Sequence, residues 1–173
     1  IIGSGYVGLV SGACLADFGH HVTCVDTDHQ KVTCLSRGEI PIYEPGLKEM
    51  VEHNVSSGRL CFTTELSLAL QKATVVFVCV GTPPGEDGQA AMTAVFAAVR
   101  GLVGMVTEPT TLVMKSTVPV GTGDAVEEII AQENPKVKIT VVSNPEFLRE
   151  GAAIHDFKHP DRIVVGTDDA EAL

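Results

Sequence analysis

The chain has 173 residues, of which 45% are apolar and 20% charged, which is the composition of a folded protein. These values predict one well-buried core and exclude a disordered segment, a collagen-like repeat and a disulfide miniprotein. The net charge is −10 with His neutral, and the sequence has no cluster of Lys and Arg that could form a basic face, so we expect no nucleic-acid partner. No apolar run reaches the ~18 residues that a membrane span needs, so we expect no membrane partner either.

Short apolar runs rich in β-branched residues alternate along the chain with segments of helix length. The predicted strands are Ile1–Ile2, Val22–Val25, Leu60–Thr63, Val75–Val80, Thr111–Met114, Ile139–Val142 and Ile163–Val165. The predicted helices are Tyr6–Phe18, Asp28–Ser36, Pro45–Asn54, Leu66–Lys72, Thr93–Val106 and Gly121–Glu133. Few of the strands alternate with polar residues, which is typical of strands buried on both faces. The pattern predicts an α/β fold with a doubly wound, mostly parallel sheet and helices on both faces.

The first strand is joined to the first helix by Gly3-Ser4-Gly5-Tyr6-Val7-Gly8. In such a turn the first glycine permits the tight bend, the second lets a pyrophosphate approach the backbone, and the third lets the helix pack on the strand. The free N–H groups at the helix N-terminus suit an anion. With 17 glycines in the chain the spacing alone is a weak signal, but its position between strand and helix indicates a Rossmann-like dinucleotide site.

The second predicted strand ends at Asp26, 18 residues after Gly8. At this distance a carboxylate can accept hydrogen bonds from the hydroxyls of an adenosine ribose. NADP would need an Arg for its 2′-phosphate, whereas here Asp26 and Asp28 would repel that group and Lys31 lies a turn further on. The sequence therefore predicts NAD as the cofactor; the alternative is an ordinary turn with an incidental Asp.

Three later loops follow the fourth, fifth and sixth predicted strands. In the strand order 3-2-1-4-5-6, strands one and four flank the point where the winding reverses, so Val80–Pro84 is expected to face the glycine turn across a crevice. The same residues also make an ordinary turn. Lys115–Thr122 and Ser143–Gly151 leave the strand ends where open α/β sheets bind ligands. Within the latter, Glu146 is a candidate general acid/base if its pocket is dry, although a lone Glu is more often a cap or a solvated charge.

The cysteines and histidines predict no chemistry of their own. The five cysteines are odd in number and form no CxxC pair, which favours a reducing cytoplasm over a disulfide framework. We interpret them as small packing residues: Cys24 and Cys79 in strands, Cys14 and Cys34 in helices, and Cys61 near the third strand. His155 and His159 are assigned to a loop and lack metal-binding spacing, so we expect no metal site.

Six phrases of the sequence, in order, resemble one family. They are Gly3–Ala16, Pro41–Leu47, Val80–Pro84, Lys115–Val120, Asn144–Gly151 and His159–Arg162. They are similar to the N-terminal NAD-binding domain of the UDP-glucose/GDP-mannose dehydrogenases, and the resemblance covers nearly the whole chain. It implies an enzyme that oxidises the C6 alcohol of a sugar nucleotide to a carboxylate, through an aldehyde and a cysteine thioester, with reduction of two NAD.

The resemblance also implies roles for residues that match the family's motifs. The implied NAD-binding residues are Gly3, Ser4, Gly5, Tyr6, Val7, Gly8, Asp26, Lys31, Val80, Gly81, Thr82, Pro83, Pro84, Ser116, Thr117, Val118 and Glu150. The implied substrate-binding residues are Glu146, Phe147, Leu148, Arg149 and Glu150. One residue from each list also matches a catalytic position of the family. Glu146 matches the general acid/base, and Thr117 matches a threonine near the reacting carbon.

The chain departs from the family on its C-terminal side. The family's nucleophilic cysteine, in a Gly-rich Cys-Phe-Pro-Lys segment, belongs to a later domain beyond a central dimer helix, and so do an assisting lysine and asparagine. The chain has no initiator Met, begins with two residues of a strand and ends in the acidic stretch Asp168–Leu173. We therefore expect residues 1–173 to be a truncated NAD-binding domain that is inactive alone, cut from a homodimer or larger homo-oligomer.

Other functions remain open at this point. The sequence of Pro41–Leu47 favours UDP-glucose as substrate over GDP-mannose or UDP-N-acetylmannosamine. A non-catalytic NAD(H)-sensing module would share the glycine turn and Asp26, but it would have no use for Pro41–Leu47 or Asn144–Gly151. A 2- or 3-hydroxyacid dehydrogenase would share the fold and carry a different constellation after the fifth and sixth strands.

Overall fold

The computed structural model describes residues 1–86 and 88–172. In chain order its elements are α1 (Tyr6–Asp17), β1 (Val22–Val25), α2 (His29–Ser36), α3 (Leu47–Ser56), β2 (Leu60–Thr63), α4 (Leu66–Leu70), β3 (Val75–Val78), α5 (Thr93–Val103), β4 (Thr110–Met114), α6 (Thr122–Glu133), β5 (Ile139–Ser143) and α7 (Ala153–Lys158), followed by a short 3₁₀ turn at Ala170–Ala172. The chain divides into two compact units. The first unit is Ile1–Ala69 with Phe147–Ile163, and the second is Leu70–Glu146 with the residues from Val164 onward.

The first unit is built around α1 and two parallel strands. β1 and β2 pair in parallel with Val22 opposite Leu60, and Ile2 adds a single parallel bridge to Val25. Helix α1 is buried along nearly its whole length, because it is apolar on all sides rather than on one stripe. A Cβ at Gly12 would lie 2.7 Å from Cys24 Sγ, so only glycine lets α1 pack this closely against β1.

The second unit is a three-stranded parallel sheet in the order β3-β4-β5. Val75 lies opposite Thr111 and Thr110 lies opposite Ile139. The middle strand, β4, is the most fully buried of the three and buries Leu112, Val113 and Met114, as expected for a strand with neighbours on both sides. Its carboxyl end therefore lies between those of β3 and β5, which is where the predicted ligand loops leave the sheet.

Most of the predicted elements are confirmed, and with them the α/β class. Strands one to three of the predicted order are adjacent in the first unit, and strands four to six are adjacent in the second. Within the described part of the chain, no helix is long and apolar enough to cross a membrane. Across residues 1–86 and 88–172, no group of three or more His, Cys, Asp and Glu is arranged to hold a metal ion.

Three details of the prediction are wrong. Ile163–Val165 forms no strand: these side chains are exposed, and only Gly166 makes an antiparallel bridge to Ser143. Helix α7 was not predicted, so His155 lies in a helix and not in a loop. The predicted strand at Ile1–Ile2 is reduced to the single bridge of Ile2.

The cysteines differ from the prediction at two positions. Cys79 lies one residue beyond β3, and it is buried. Cys61 lies within β2 and is exposed, so it is not the buried packing residue that we expected. Cys14 and Cys24 are fully buried as packing residues, as predicted.

Candidate functional site

The glycine turn is tied to the end of β1 by two backbone N–H groups. Gly3 has φ +96°, a conformation that side chains rarely adopt, and its N–H donates to Val25 O at 2.8 Å. The next N–H, that of Ser4, donates to Asp26 Oδ2 at 2.9 Å. The bend of the glycine turn and the orientation of the Asp26 carboxylate are therefore fixed together.

The N-terminus of α1 is open to a ligand. Gly5 is the N-cap in extended conformation, and no side chain caps the helix, so the first-turn N–H groups have no intrahelical acceptor. A Cβ at Gly5 would meet nothing within 4 Å, so the space over the turn is free. Ser4 Oγ is buried without a hydrogen-bond partner among the described residues. Free amides, an unpartnered hydroxyl and an open approach fit the pyrophosphate of a dinucleotide.

Asp26 presents an ionised carboxylate beside the turn. Its Oδ1 accepts from Asp28 N at 3.1 Å, and its Oδ2 pairs with Lys31 Nζ at 2.9 Å. Burial by itself raises the pKa of Asp26, but the hydrogen bonds from Lys31, Asp28 and Ser4 outweigh it, so the pKa lies below its ordinary value. The carboxylate is therefore a charged acceptor at neutral pH, as hydrogen bonding to ribose hydroxyls requires.

In the second unit, hydrogen bonds bring two of the predicted loops together. Thr82 Oγ1 donates to Thr117 O at 2.9 Å, and Ser116 Oγ lies 2.7 Å from Val80 O. These bonds join the loop after β3 to the loop after β4. The side chain of Thr117 remains exposed and is available to a ligand.

The loop after β5 is fixed by a lysine to which the sequence assigned no role. Lys115 is buried at 7% exposure, and its Nζ donates to Asn144 Oδ1 at 3.1 Å. Burial lowers the pKa of Lys115, and the nearby Cys79 and Glu146 partly oppose that shift. Glu146, half-buried, is thus within the electrostatic reach of a buried cation. A lysine at the end of a buried strand is the sequence signal that could have identified this position.

Phe147, Leu148 and Arg149, which follow Glu146, belong to the first unit, and their side chains have partners there. Leu148 packs against the apolar core. Arg149 Nη2 pairs with Asp156 Oδ1 at 2.7 Å, which holds the pKa of that carboxyl well below its usual range. Phe147 is 55% exposed and lies under the Arg162 guanidinium, 5.7 Å from the ring centroid.

The predicted site residues are divided between the two units. The first unit carries Gly3, Ser4, Gly5, Tyr6, Val7, Gly8, Asp26, Lys31, Phe147, Leu148, Arg149 and Glu150. The second carries Val80, Gly81, Thr82, Pro83, Pro84, Ser116, Thr117, Val118 and Glu146. The crevice between the Gly3 and Gly81 turns stays a prediction.

One buried carboxylate was missed by the sequence analysis. Glu44 lies within the phrase Pro41–Leu47, is 6% exposed, and accepts hydrogen bonds from the Tyr6 hydroxyl and from the N–H groups of Gly151 and Ala153. Its partners are over one hundred residues away in sequence, apart from Tyr6, so spacing could not reveal them.

Comparison with known proteins gives concordant results. The sequence model of the NAD binding domain of the UDP-glucose/GDP-mannose dehydrogenase family matches residues 1–173. The chain is 58% identical over 172 residues to UDP-glucose 6-dehydrogenase from Rhizobium meliloti and 47% identical over 176 residues to that of Pseudomonas aeruginosa. In both cases 99% of this chain aligns, and it spans 39% of the relative's length.

Solved structures agree in fold. A UDP-glucose dehydrogenase from Pyrobaculum islandicum superposes with a TM-score of 0.93 at 43% identity, covering 99% of this chain and 40% of that one. A ternary complex of GDP-mannose dehydrogenase from Pseudomonas aeruginosa superposes with a TM-score of 0.94 at 34% identity, covering 98% of this chain and 41% of that one. The Rossmann-like class is confirmed, and NAD is the cofactor that both the glycine turn and the matched domain indicate. The chain thus belongs to the UDP-glucose/GDP-mannose dehydrogenase family, whose NAD binding domain it matches from end to end.

Proposed function

We propose that this chain is the NAD-binding part of a UDP-glucose 6-dehydrogenase, which oxidises UDP-glucose to UDP-glucuronate and reduces two NAD. The observation that carries the cofactor half is the Ser4–Asp26 hydrogen bond, which fixes an ionised carboxylate beside an open helix N-terminus. The substrate half is supported by the names of the relatives at 58% and 47% identity. The product would feed polysaccharide biosynthesis.

In this proposal, three side chains and the N-terminus of α1 bind the cofactor or act on the substrate, and a fourth side chain holds one of their loops in place. Asp26 accepts a hydrogen bond from a ribose hydroxyl, and the amides at the N-terminus of α1 bind the pyrophosphate. When bound, NAD supplies the acceptor for a hydride. Glu146 takes the proton from the C6 hydroxyl, while Thr117 lies near the reacting carbon. Lys115 keeps Asn144, two residues before Glu146, in place through its 3.1 Å hydrogen bond.

We propose further that the thioester-forming cysteine lies outside these residues. Burial raises the pKa of Cys14 and of Cys24 to about 11, so their thiols are protonated and poor nucleophiles at neutral pH. Cys79 is also buried, and Cys34 and Cys61 lie in α2 and β2, two elements to which no predicted catalytic residue belongs. The 173 residues alone would then bind NAD without turnover, and the complete protein would be a cytoplasmic homodimer or larger homo-oligomer.

The substrate is tested by offering UDP-glucose, GDP-mannose and UDP-N-acetylmannosamine separately to the full-length protein and measuring NADH. We expect the highest kcat/KM with UDP-glucose and a loss of about 100-fold or more in kcat for Glu146→Gln. GDP-mannose is the second candidate, because the GDP-mannose dehydrogenase structure matches at a TM-score of 0.94. Tight NAD binding without turnover of any of the three would instead favour an NAD(H)-sensing module and remove the role of Glu146.

A further inference from the structure

Glu44 is a buried carboxylate in the first unit whose hydrogen-bond donors lie in two distant segments. Glu44 is only 6% exposed, and burying a carboxylate is costly unless hydrogen-bond donors satisfy it. Oε2 accepts from the Tyr6 hydroxyl and from Gly151 N at 2.7 Å, and Oε1 accepts from Ala153 N at 2.9 Å. Burial alone raises the pKa of Glu44, but these hydrogen bonds outweigh it and the pKa is lowered.

Two of the donors belong to segments that are implied in NAD binding. Tyr6 belongs to the glycine turn and opens α1, whereas Gly151 directly follows Glu150, an implied cofactor and substrate residue. Gly151 has φ +84°, so the chain bends there in a way that favours glycine, and its N–H is the group that Glu44 holds. Fixing this N–H fixes the peptide plane shared with Glu150.

We propose that Glu44 is a positioning residue of the cofactor site, holding the Tyr6 end of the glycine turn and the peptide after Glu150 in one arrangement. This inference rests on the proposed assignment of both segments to NAD. The phenol of Tyr6 contributes as a donor: its pKa is raised to about 12, through burial and then the hydrogen bond to Glu44, so it keeps its proton over the working range.

Helices α1 and α7 are also joined by an ion pair that lies away from the glycine turn. Asp17, the last residue of α1, pairs with Lys158, the last residue of α7, at 2.6 Å. Asp17→Asn therefore weakens the attachment of α7 to α1 without touching Tyr6 or Gly151. It is the matched control that separates a loss of stability from a loss of cofactor positioning.

The test compares Glu44→Gln and Asp17→Asn in the full-length protein by titration calorimetry with NAD and by thermal unfolding. We expect both variants to unfold at lower temperature, and only Glu44→Gln to raise the NAD dissociation constant, by about tenfold, the equivalent of one charge-assisted hydrogen bond. Adding Tyr6→Phe to Glu44→Gln should raise it little further, because both changes break the same interaction.

An unchanged dissociation constant in a folded Glu44→Gln protein would overturn the inference. If Glu44→Gln does not fold, Tyr6→Phe carries the test, because it removes only the hydroxyl; an affinity equal to that of the parent would then overturn the inference. Asp26→Ala separates an error in the role of Glu44 from an error in the assignment of the NAD site. If Asp26→Ala weakens NAD binding and Glu44→Gln does not, the role of Glu44 is wrong; if neither weakens it, the cofactor site itself is misassigned.

Discussion

Replacing Asp26 with alanine tests the cofactor site at the residue that defines it. Three donors already occupy the carboxylate: Ser4 N, Asp28 N and Lys31 Nζ. Since a carboxylate offers about four acceptor positions, one remains for a ribose hydroxyl. The substitution removes that acceptor, releases the glycine turn at Ser4, and leaves the Lys31 cation without its 2.9 Å partner.

The size of the effect follows from the charge of the acceptor. A hydrogen bond to a charged group is worth about 1.5–3 kcal/mol, and each 1.4 kcal/mol is about tenfold in affinity. We therefore expect Asp26→Ala to raise the NAD dissociation constant between about 10-fold and about 150-fold. The release of Ser4 acts in the same direction, so tenfold is the lower bound. The unpaired Lys31 should at the same time narrow the preference for NAD over NADP.

The assay is titration calorimetry with NAD and with NADP, and Asp28→Ala is the matched control. Asp28 caps α2 by accepting from Gln30 N and Lys31 N, so its loss should cost about 1 kcal/mol of stability while NAD affinity stays nearly unchanged. If Asp26→Ala binds NAD as tightly as the parent does, Asp26 makes no contact with the ribose. The same holds if Asp28→Ala weakens NAD as strongly as Asp26→Ala.

Three further predictions concern packing, pH and thiol reactivity. Gly12→Ala should cost about 1–3 kcal/mol of unfolding free energy in a denaturant titration, because its Cβ would lie 2.7 Å from Cys24 Sγ; adding Cys24→Ala should recover part of it, and no recovery would contradict the contact. The Arg149 ion pair lowers the pKa of Asp156, so it stabilises the fold above pH ~4 and this contribution is lost as pH falls; Asp156→Asn should flatten that part of the stability–pH curve. Iodoacetamide at pH 8 should label exposed Cys61 well before buried Cys24, and the reverse order in peptide mass spectrometry would contradict the burial of Cys24.

The core of the fold could be predicted from sequence because its signals are local. β-branched runs mark the strands, and the glycine spacing followed by Asp26 marks the cofactor turn. The false strand at Ile163–Val165 has the same apolar composition, but composition does not reveal whether a partner strand is available. There the side chains remain exposed, and only Gly166 bridges to the sheet.

The missed features depend on contacts that are distant in sequence. Helix α7 has six residues and Ala152 as its N-cap, so it carries no capping signal of its own. Its first N–H, that of Ala153, is instead satisfied by Glu44, 109 residues away. A carboxylate in a polar loop predicts a solvated charge, and only the folded chain shows that Glu44 is buried among donors.

The stoichiometry of the complete reaction shows whether the protein carries out a four-electron oxidation of UDP-glucose. The full-length protein would be given limiting UDP-glucose and excess NAD, and the NADH formed at completion would be measured by absorbance beside the UDP-glucuronate formed by chromatography. We expect two NADH for each UDP-glucose consumed, because the oxidation of an alcohol to a carboxylate removes four electrons. One NADH per UDP-glucose, or none with NAD tightly bound, would contradict this expectation.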